Sequence, residues 1–186
     1  MSRALPIAKV KLPSCLNGQR NGVLSESILV PCGIANYRLV EPAARSFKAL
    51  CAAAQAAGFN VWTTGTYRSL DSQVRLFTSR YSSNPVPGQT PKLWNNRRWW
   101  KLPGVAAAAT PGKSNHGLGL ACDFALKNGT RTVSVNWAFV NWMCDNAHKF
   151  GWSAELQSEN WHWRAVHGDT IPQAVLDYEK GLGGTL

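Results

Sequence analysis

The stretch SNHGLGLACDFAL, residues 114–126, places a histidine and an aspartate inside an otherwise apolar run. Its second half, LACDFAL, is typical of a buried strand. Asp123 lies between a cysteine and a phenylalanine, where a carboxylate must find a cation because an isolated buried charge is costly. Gly117 and Gly119 permit a tight bend after His116. We therefore expect His116 to return beside the strand that carries Asp123, although an ordinary ion pair with an arginine would also satisfy this carboxylate.

A second short stretch, ENWHWR at residues 159–164, supplies the partners that such a site requires. It holds a histidine between two tryptophans, preceded by a glutamate. Two imidazoles and one carboxylate, with a fourth position open, form the ligand set of a catalytic zinc ion, and a neighbouring glutamate can act as general base. A histidine between tryptophans is also typical of a packed core. The zinc interpretation takes His116, Asp123 and His162 as ligands of one Zn²⁺ and Glu159 as the base.

These two stretches, with a third, resemble a known family of peptidases. SNHGLGLACD resembles the signature Ser-x-His-x-x-Gly-x-Ala-x-Asp of the zinc D-Ala-D-Ala carboxypeptidase and L-alanyl-D-glutamate endopeptidase family, and ENWHW resembles its second signature, Glu-x-Trp-His. TTGTYRSLDSQ, residues 63–73, is similar to the family's upstream strand, its Gly-x-Tyr/Phe-Arg-Ser and the helix with a glutamine that follows. The three occur in the family's order over residues 61–163, and this context makes the resemblance specific.

The resemblance implies a role for each matching residue. His116, Asp123 and His162 match the zinc ligands, Glu159 matches the catalytic base, and Arg68 matches the arginine that steadies the oxyanion and the substrate. Substrate-binding positions are expected at Ser114, Tyr67, Gln73 and Trp161. Glu155 is a competing base, but its spacing from His162 does not fit the signature.

The pattern of helices and strands gives the same fold class as the resemblance. Mixed elements without regular alternation favour α+β, and the family fold is a small antiparallel sheet with flanking helices, shared with the Hedgehog signalling domain. We expect one domain over residues 1–186, in which residues 1–40 form a loop-rich extension packed on or near the rest. Helices are predicted over residues 42–58, 70–81, 135–151 and 170–181, and strands over 59–67, 120–126 and 160–166. Ser69 and Thr170 are the expected caps of the second and last helices.

A long Pro/Gly/Asn-rich excursion, residues 82–113, does not align with the family and contains NNRRWWK. Segments of this length are usually functional loops or mobile regions. Mixed cations and aromatics are typical of nucleic-acid binders, but they also suit a packed loop anchor, which we rank first, or a contact with a wall polymer, which we rank second.

The net charge of +10 predicts attraction to a polyanion. With the resemblance, the expected partners are bacterial peptidoglycan and anionic wall polymers, with no nucleic acid. Residues 1–13 lack the apolar core of a secretory signal, and no window reaches membrane-spanning length. Cys15 and Cys32 flank a loop and are candidates for a disulfide.

These features favour a specific biological setting. We expect a monomer that is made in a host cytoplasm and reaches the wall at lysis, as a phage endolysin does. The favoured activity is L-Ala-D-Glu endopeptidase in the peptidoglycan stem peptide. The alternatives are D-Ala-D-Ala carboxypeptidase of the same family and a non-catalytic wall-binding module.

Overall fold

The helices and strands follow one another in a mixed order in the computed structural model, which describes residues 3–183. In chain order they are β1 (Leu29–Pro31), β2 (Arg38–Val40), α1 (Glu41–Ala56), β3 (Val61–Gly65), α2 (Leu70–Arg80), β4 (Tyr81–Ser82), β5 (Lys92–Trp94), β6 (Arg97–Lys101), β7 (Ala121–Asn128), β8 (Arg131–Val133), α3 (Trp137–Asn146), β9 (Trp152–Ala154), β10 (His162–Ala165) and α4 (Gln173–Gly181). Short 3-10 turns lie at Ser14–Leu16, Glu26–Ile28, Asn115–Leu118 and Ala147–Phe150.

The main sheet is antiparallel and is centred on β7. Its strands run in the order β3-β7-β10-β9, and β8 forms a hairpin with the end of β7. Helices pack beside this sheet, so the predicted α+β class with a small antiparallel sheet is confirmed. Two smaller sheets pair β1 with β2 and place β6 between β4 and β5.

Local signals explain where several helices begin and end. Pro42 occupies the first turn of α1, where its missing N–H is not needed, and Gly58 follows with φ +89°. Ser69 caps α2 by accepting a hydrogen bond from the backbone N–H of Ser72. The expected cap at Thr170 is wrong, because α4 begins after Pro172. Pro172 has a φ of −61°, which suits the start of a helix, and its ring leaves it without a backbone N–H donor.

The core lies between α1 and the main sheet. Phe47 of α1 stacks on Phe124 of β7 with ring centroids 5.6 Å apart, and Trp152 of β9 contacts both rings. All three side chains are buried. Because Phe124 neighbours Asp123 on the strand, alternation directs Asp123 to the opposite face, away from this core.

Residues 3–28 contribute to the same core although they contain little regular structure. Leu5, Leu16 and Leu24 are buried in the main hydrophobic cluster. Cys15 and Cys32 are both free thiols, so the candidate disulfide is absent from the described chain. Within residues 3–183 we find no helix with the length and apolar character needed to cross a membrane.

The excursion at residues 82–113 folds back on α2 through β5 and β6. Trp99 of NNRRWWK packs edge-on against Phe77 of α2 at 5.7 Å and lies 5.6 Å from Trp94. Phe77 also stacks on Tyr81 at 4.4 Å. The prediction that this motif anchors a loop is therefore confirmed for Trp99, and the excursion has a small aromatic core of its own.

Candidate metal centre

Three predicted ligands converge on the open face of the main sheet. His162 of β10 is the cross-strand neighbour of Asp123 on β7, so both side chains project from the same face. His116 reaches them from the 3-10 turn before β7, which Gly119 ends in a left-handed conformation with φ 64°. The bend expected after His116 is therefore present. The imidazole centroids of His116 and His162 lie 5.0 Å apart.

The potential ligand atoms lie within 4.8 Å of one another. His116 Nε2 lies 3.3 Å from Asp123 Oδ2, and His162 Nδ1 lies 2.8 Å from Asp123 Oδ1. Tetrahedral zinc, with bonds of about 2.0–2.2 Å, holds its ligand atoms roughly 3.3–3.6 Å apart. The cluster therefore fits one ion after small side-chain adjustments, and two imidazoles with one carboxylate are a donor set that suits zinc.

The second nitrogen of each histidine has its own acceptor. His116 Nδ1 donates to the carbonyl oxygen of Thr66 at 2.7 Å, and His162 Nε2 donates to Oε2 of Glu155 at 2.7 Å. Such outer hydrogen bonds fix the tautomer and orientation of metal-binding imidazoles. They leave His116 Nε2 and His162 Nδ1, the two atoms nearest Asp123, as the nitrogens available to a metal.

The electrostatics of the cluster favour a cation at its centre. Burial alone raises the pKa of Asp123, but hydrogen bonds to His116 and His162 outweigh it and hold that pKa well below its usual range. Burial lowers the pKa of His162, whereas its bonds to Asp123 and Glu155 raise it, to about 9 as the net result. In the metal-free chain, His162 is therefore a cation between two carboxylates, and a divalent ion can replace the proton on Nδ1.

Glu155 is an important member of the site whose role the sequence does not reveal. Besides His162, its carboxylate accepts a hydrogen bond from Asn115 Nδ2 at 2.6 Å and lies 3.7 Å from Arg164 Nη1. Burial raises the pKa of Glu155, but these partners, His162 foremost, lower it overall. The carboxylate is thus held as an anion that orients His162. No spacing signal marks Glu155, because it lies in a loop before β10.

Gly65 gives Asp123 the space that it needs. The pairing of β3 with β7 shifts between Thr63 and Gly65, and Gly65 then lies opposite Asp123. A Cβ atom on Gly65 would lie only 3.0 Å from Asp123 Oδ2. Arg68 approaches the same oxygen, with Nη2 at 3.8 Å. The ion pair with an arginine that the sequence left open is therefore present as a distant contact beside the histidine cluster.

A cavity of about 630 Å³, here called the main cavity, opens over the metal-ligand cluster. Besides Glu155, its wall contains four further residues that the sequence singled out: Arg68, Ser114, Glu159 and Trp161. Trp161 is 41% exposed, so its ring is accessible from solvent. The structure thus assembles potential ligands, a free carboxylate, a guanidinium and an aromatic surface around one space.

Two residues predicted to bind substrate lie elsewhere. The Tyr67 hydroxyl donates to the carbonyl oxygen of Gly22 at 3.0 Å and accepts from Leu24 N at 3.3 Å, so it fastens the N-terminal segment. Gln73 is buried, accepts from Arg68 Nη1 at 3.0 Å and donates to the carbonyl oxygen of Ala109 at 2.7 Å. Neither residue lines the main cavity. Gln73 acts through Arg68, whereas Tyr67 acts on the fold.

Comparisons with known proteins agree with this geometry. A family model described as "VanY: D-alanyl-D-alanine carboxypeptidase" matches residues 36–168, which include every residue of the cluster. No curated protein matches the sequence significantly.

Several solved structures have a similar fold. The LdcB LD-carboxypeptidase has a TM-score of 0.55 at 22% identity, with 86% of this chain and 76% of that chain covered. VanYB in complex with D-alanine-D-alanine has a TM-score of 0.52 at 19% identity, covering 87% and 93%. A variant of the vancomycin resistance D,D-pentapeptidase VanY in complex with Zn(II) has a TM-score of 0.51 at 20% identity, covering 87% and 94%. At these identities the likeness establishes the fold.

Proposed function

Because this chain belongs to the VanY D-alanyl-D-alanine carboxypeptidase family, and is therefore a zinc-dependent peptidoglycan peptidase, we propose that the cluster of His116, Asp123 and His162 is its catalytic centre. One observation carries this proposal: three ligand atoms lie within 4.8 Å of one another beneath a cavity that Glu159 and Arg68 line. The reaction is hydrolysis of an amide bond in the stem peptide of peptidoglycan.

The side chains around the cluster divide the chemistry between them. A zinc ion held by these ligands would act as a Lewis acid and make water nucleophilic near neutral pH. Glu159 takes the proton from the attacking water and delivers it to the leaving amine nitrogen. Arg68 stabilises the negative charge that develops on the carbonyl oxygen, a role whose loss typically slows turnover by about a hundredfold to a thousandfold.

Glu159 is the better candidate for the base because of what the two glutamates contact. The Glu155 carboxylate accepts hydrogen bonds from His162 and Asn115, and its negative charge orients His162. Glu159 lines the main cavity, and its side chain makes no hydrogen bond to another described residue. A carboxylate without a protein partner can accept and release a proton without disturbing the hydrogen bonds that orient the metal ligands.

For the bond that is cut, we propose the L-Ala-D-Glu amide within the stem peptide. A second cavity of about 490 Å³, lined by Thr64, Phe124 and Val133 among others, shares Trp161 with the main cavity. Trp161 thus lies between two recesses, and this supports the binding of a substrate that extends to both sides of the cleaved bond. The alternative is D-Ala-D-Ala carboxypeptidase activity, which the description of the family favours.

We also propose the setting expected above, in which the protein acts as a phage endolysin that reaches the wall at lysis. The net charge of +10 supports this, because it would attract the enzyme to anionic wall polymers. Clearing of cell-wall suspensions should then weaken as ionic strength rises, since salt screens such attraction.

Mass spectrometry of digested muropeptides tests both the activity and the bond. Endopeptidase action should separate L-Ala from D-Glu, whereas carboxypeptidase action should release free D-Ala. Glu159→Gln should retain one zinc per chain and lose at least about a hundredfold in rate. Glu26→Gln is the control, because the Glu26 side chain is 79% exposed and lies outside the main cavity. A Glu159→Gln enzyme with near-normal turnover would remove Glu159 as the base.

A further inference from the structure

The lining of the main cavity contains three cations besides Arg68, here together called the cationic wall. Arg80, Lys92 and Lys113 line the cavity together with the metal-ligand cluster. In the chain from residue 3 to 183, none of the three forms an ion pair with a carboxylate. Their charges are therefore available to a ligand. Among the carboxylates of the cavity, Asp123 and Glu155 are already paired with histidines, and Glu159 lies within 4.0 Å of none of the three cations.

Two of these cations are held in place by backbone carbonyl groups. Arg80 Nη1 donates to Ala107 O at 3.2 Å, and Lys92 Nζ donates to Ala108 O at 2.7 Å. Lys92 also lies over the ring of Tyr81, 5.4 Å from its centroid. These contacts fix the positions of the charges but leave them uncompensated, because a carbonyl group carries no net charge.

The cationic wall is connected to Arg68. The carbonyl of Ala109, next to those that bind Arg80 and Lys92, accepts a hydrogen bond from Gln73, which in turn accepts one from Arg68. Arg68 and Arg80 both line the main cavity. Their two positive charges repel each other there, and an anion bound between them would relieve that repulsion.

We propose that Arg80, Lys92 and Lys113 form a subsite for a carboxylate of the substrate, at a place in the main cavity other than the metal-ligand cluster. The inference rests on the proposed function, because the peptide must reach this wall from the metal centre. Besides the terminal carboxylate, which is amidated in every test peptide, stem peptides offer two carboxylates: the α-carboxylate of the γ-linked D-glutamate and the free carboxylate of a diaminopimelate residue. Both offer the same chemistry, and amidation removes the charge of either one selectively.

The test uses the zinc-loaded enzyme and three soluble stem peptides: one with both carboxylates free, one amidated at D-glutamate and one amidated at diaminopimelate. The wild type should cleave the first peptide with a kcat/KM about tenfold higher than one of the amidated peptides. The amidated peptide with the lower kcat/KM identifies the carboxylate that the subsite binds. Equal rates on all three would overturn the proposal.

Lys113→Glu is the variant of choice. Lys113 is exposed, and within residues 3–183 only its backbone N–H forms a hydrogen bond, to Thr110 O, so the substitution should leave the fold intact. It should remove the preference for the free carboxylate without changing zinc content. Lys9→Glu makes the same change of charge at an exposed position outside the cavity. If Lys9→Glu and Lys113→Glu reduce all rates equally, the cations act only through the overall charge and the subsite is refuted.

Binding separates this inference from the proposed function. Calorimetry with the zinc-loaded Glu159→Gln variant, in which cleavage is slowed at least about a hundredfold, measures the affinity for the three peptides. About tenfold tighter binding of a free carboxylate than of its amide, lost on adding Lys113→Glu, supports the subsite even if the wild type cuts none of these bonds. Equal affinities overturn it even if the peptidase activity is established.

Discussion

A single methyl group added at Gly65 should weaken zinc binding without destabilising the metal-free fold. The Cβ of Gly65→Ala would lie 3.0 Å from Asp123 Oδ2 and 3.6 Å from Arg68 Nη2. The first contact is about 0.5 Å closer than the roughly 3.5 Å at which non-bonded atoms attract best. The Asp123 carboxylate therefore has to move by a few tenths of an ångström, and Oδ2 is the oxygen that faces His116 Nε2.

The size of the effect follows from the tolerance of the metal site. Ligand distances in zinc sites hold to within about 0.2 Å, so a shift of this size disturbs coordination. Changes that reorient a ligand typically weaken metal affinity by about 10- to 100-fold, which corresponds to about 1.4–2.7 kcal/mol. Gly65 does not have a positive φ. Alanine therefore fits the backbone, and the lower entropy of the unfolded chain, worth about 0.4–1 kcal/mol, offsets the displacement of Asp123 in the metal-free protein.

The assay combines a zinc titration against a chromophoric chelator with thermal unfolding in the presence and absence of metal. Gly181→Ala is the matched control, because a Cβ there meets nothing within 4 Å. The expected result is weaker zinc binding with an unchanged or higher Tm for the metal-free chain. Zinc affinity within twofold of the wild type would refute the argument that Gly65 sets the position of Asp123.

Two further predictions concern the hydrogen-bond partners of His162. Glu155→Gln should lower zinc affinity by about 10- to 100-fold, because the neutral amide no longer fixes His162 Nε2–H as a charged acceptor does; a titration that matches the wild type would contradict this role. The raised pKa of His162 makes the protonated imidazole a stabilising group in the metal-free chain. That stabilisation is complete below pH 6.5 and is lost as the pH rises to about 9. Thermal unfolding in chelator should therefore show Tm falling across this range, and His162→Gln should abolish this component of the fall.

Short-range sequence features were sufficient for much of this description. Ser69 caps α2 through a bond to Ser72, only three positions away, and the turn at Gly119 returns His116 to β7. Such features depend on neighbouring residues and are therefore visible in a single chain. The wrong prediction of a cap at Thr170 also came from a short-range feature. Threonine is a good cap residue, but Pro172, two positions later, sets the start of α4 instead.

The sequence by itself determined which side chains were candidates for the metal centre, since His116, Asp123, His162 and Glu159 stand in two short motifs whose residue types suit zinc chemistry. Only the tertiary structure decided what surrounds them. Glu155 and the carbonyl of Thr66 accept hydrogen bonds from the two imidazoles. Tyr67 binds the N-terminal segment instead of lining the main cavity, and the excursion at residues 82–113 places cations in that cavity. These contacts join residues distant along the chain, and they depend on strand register and packing, which no local pattern specifies.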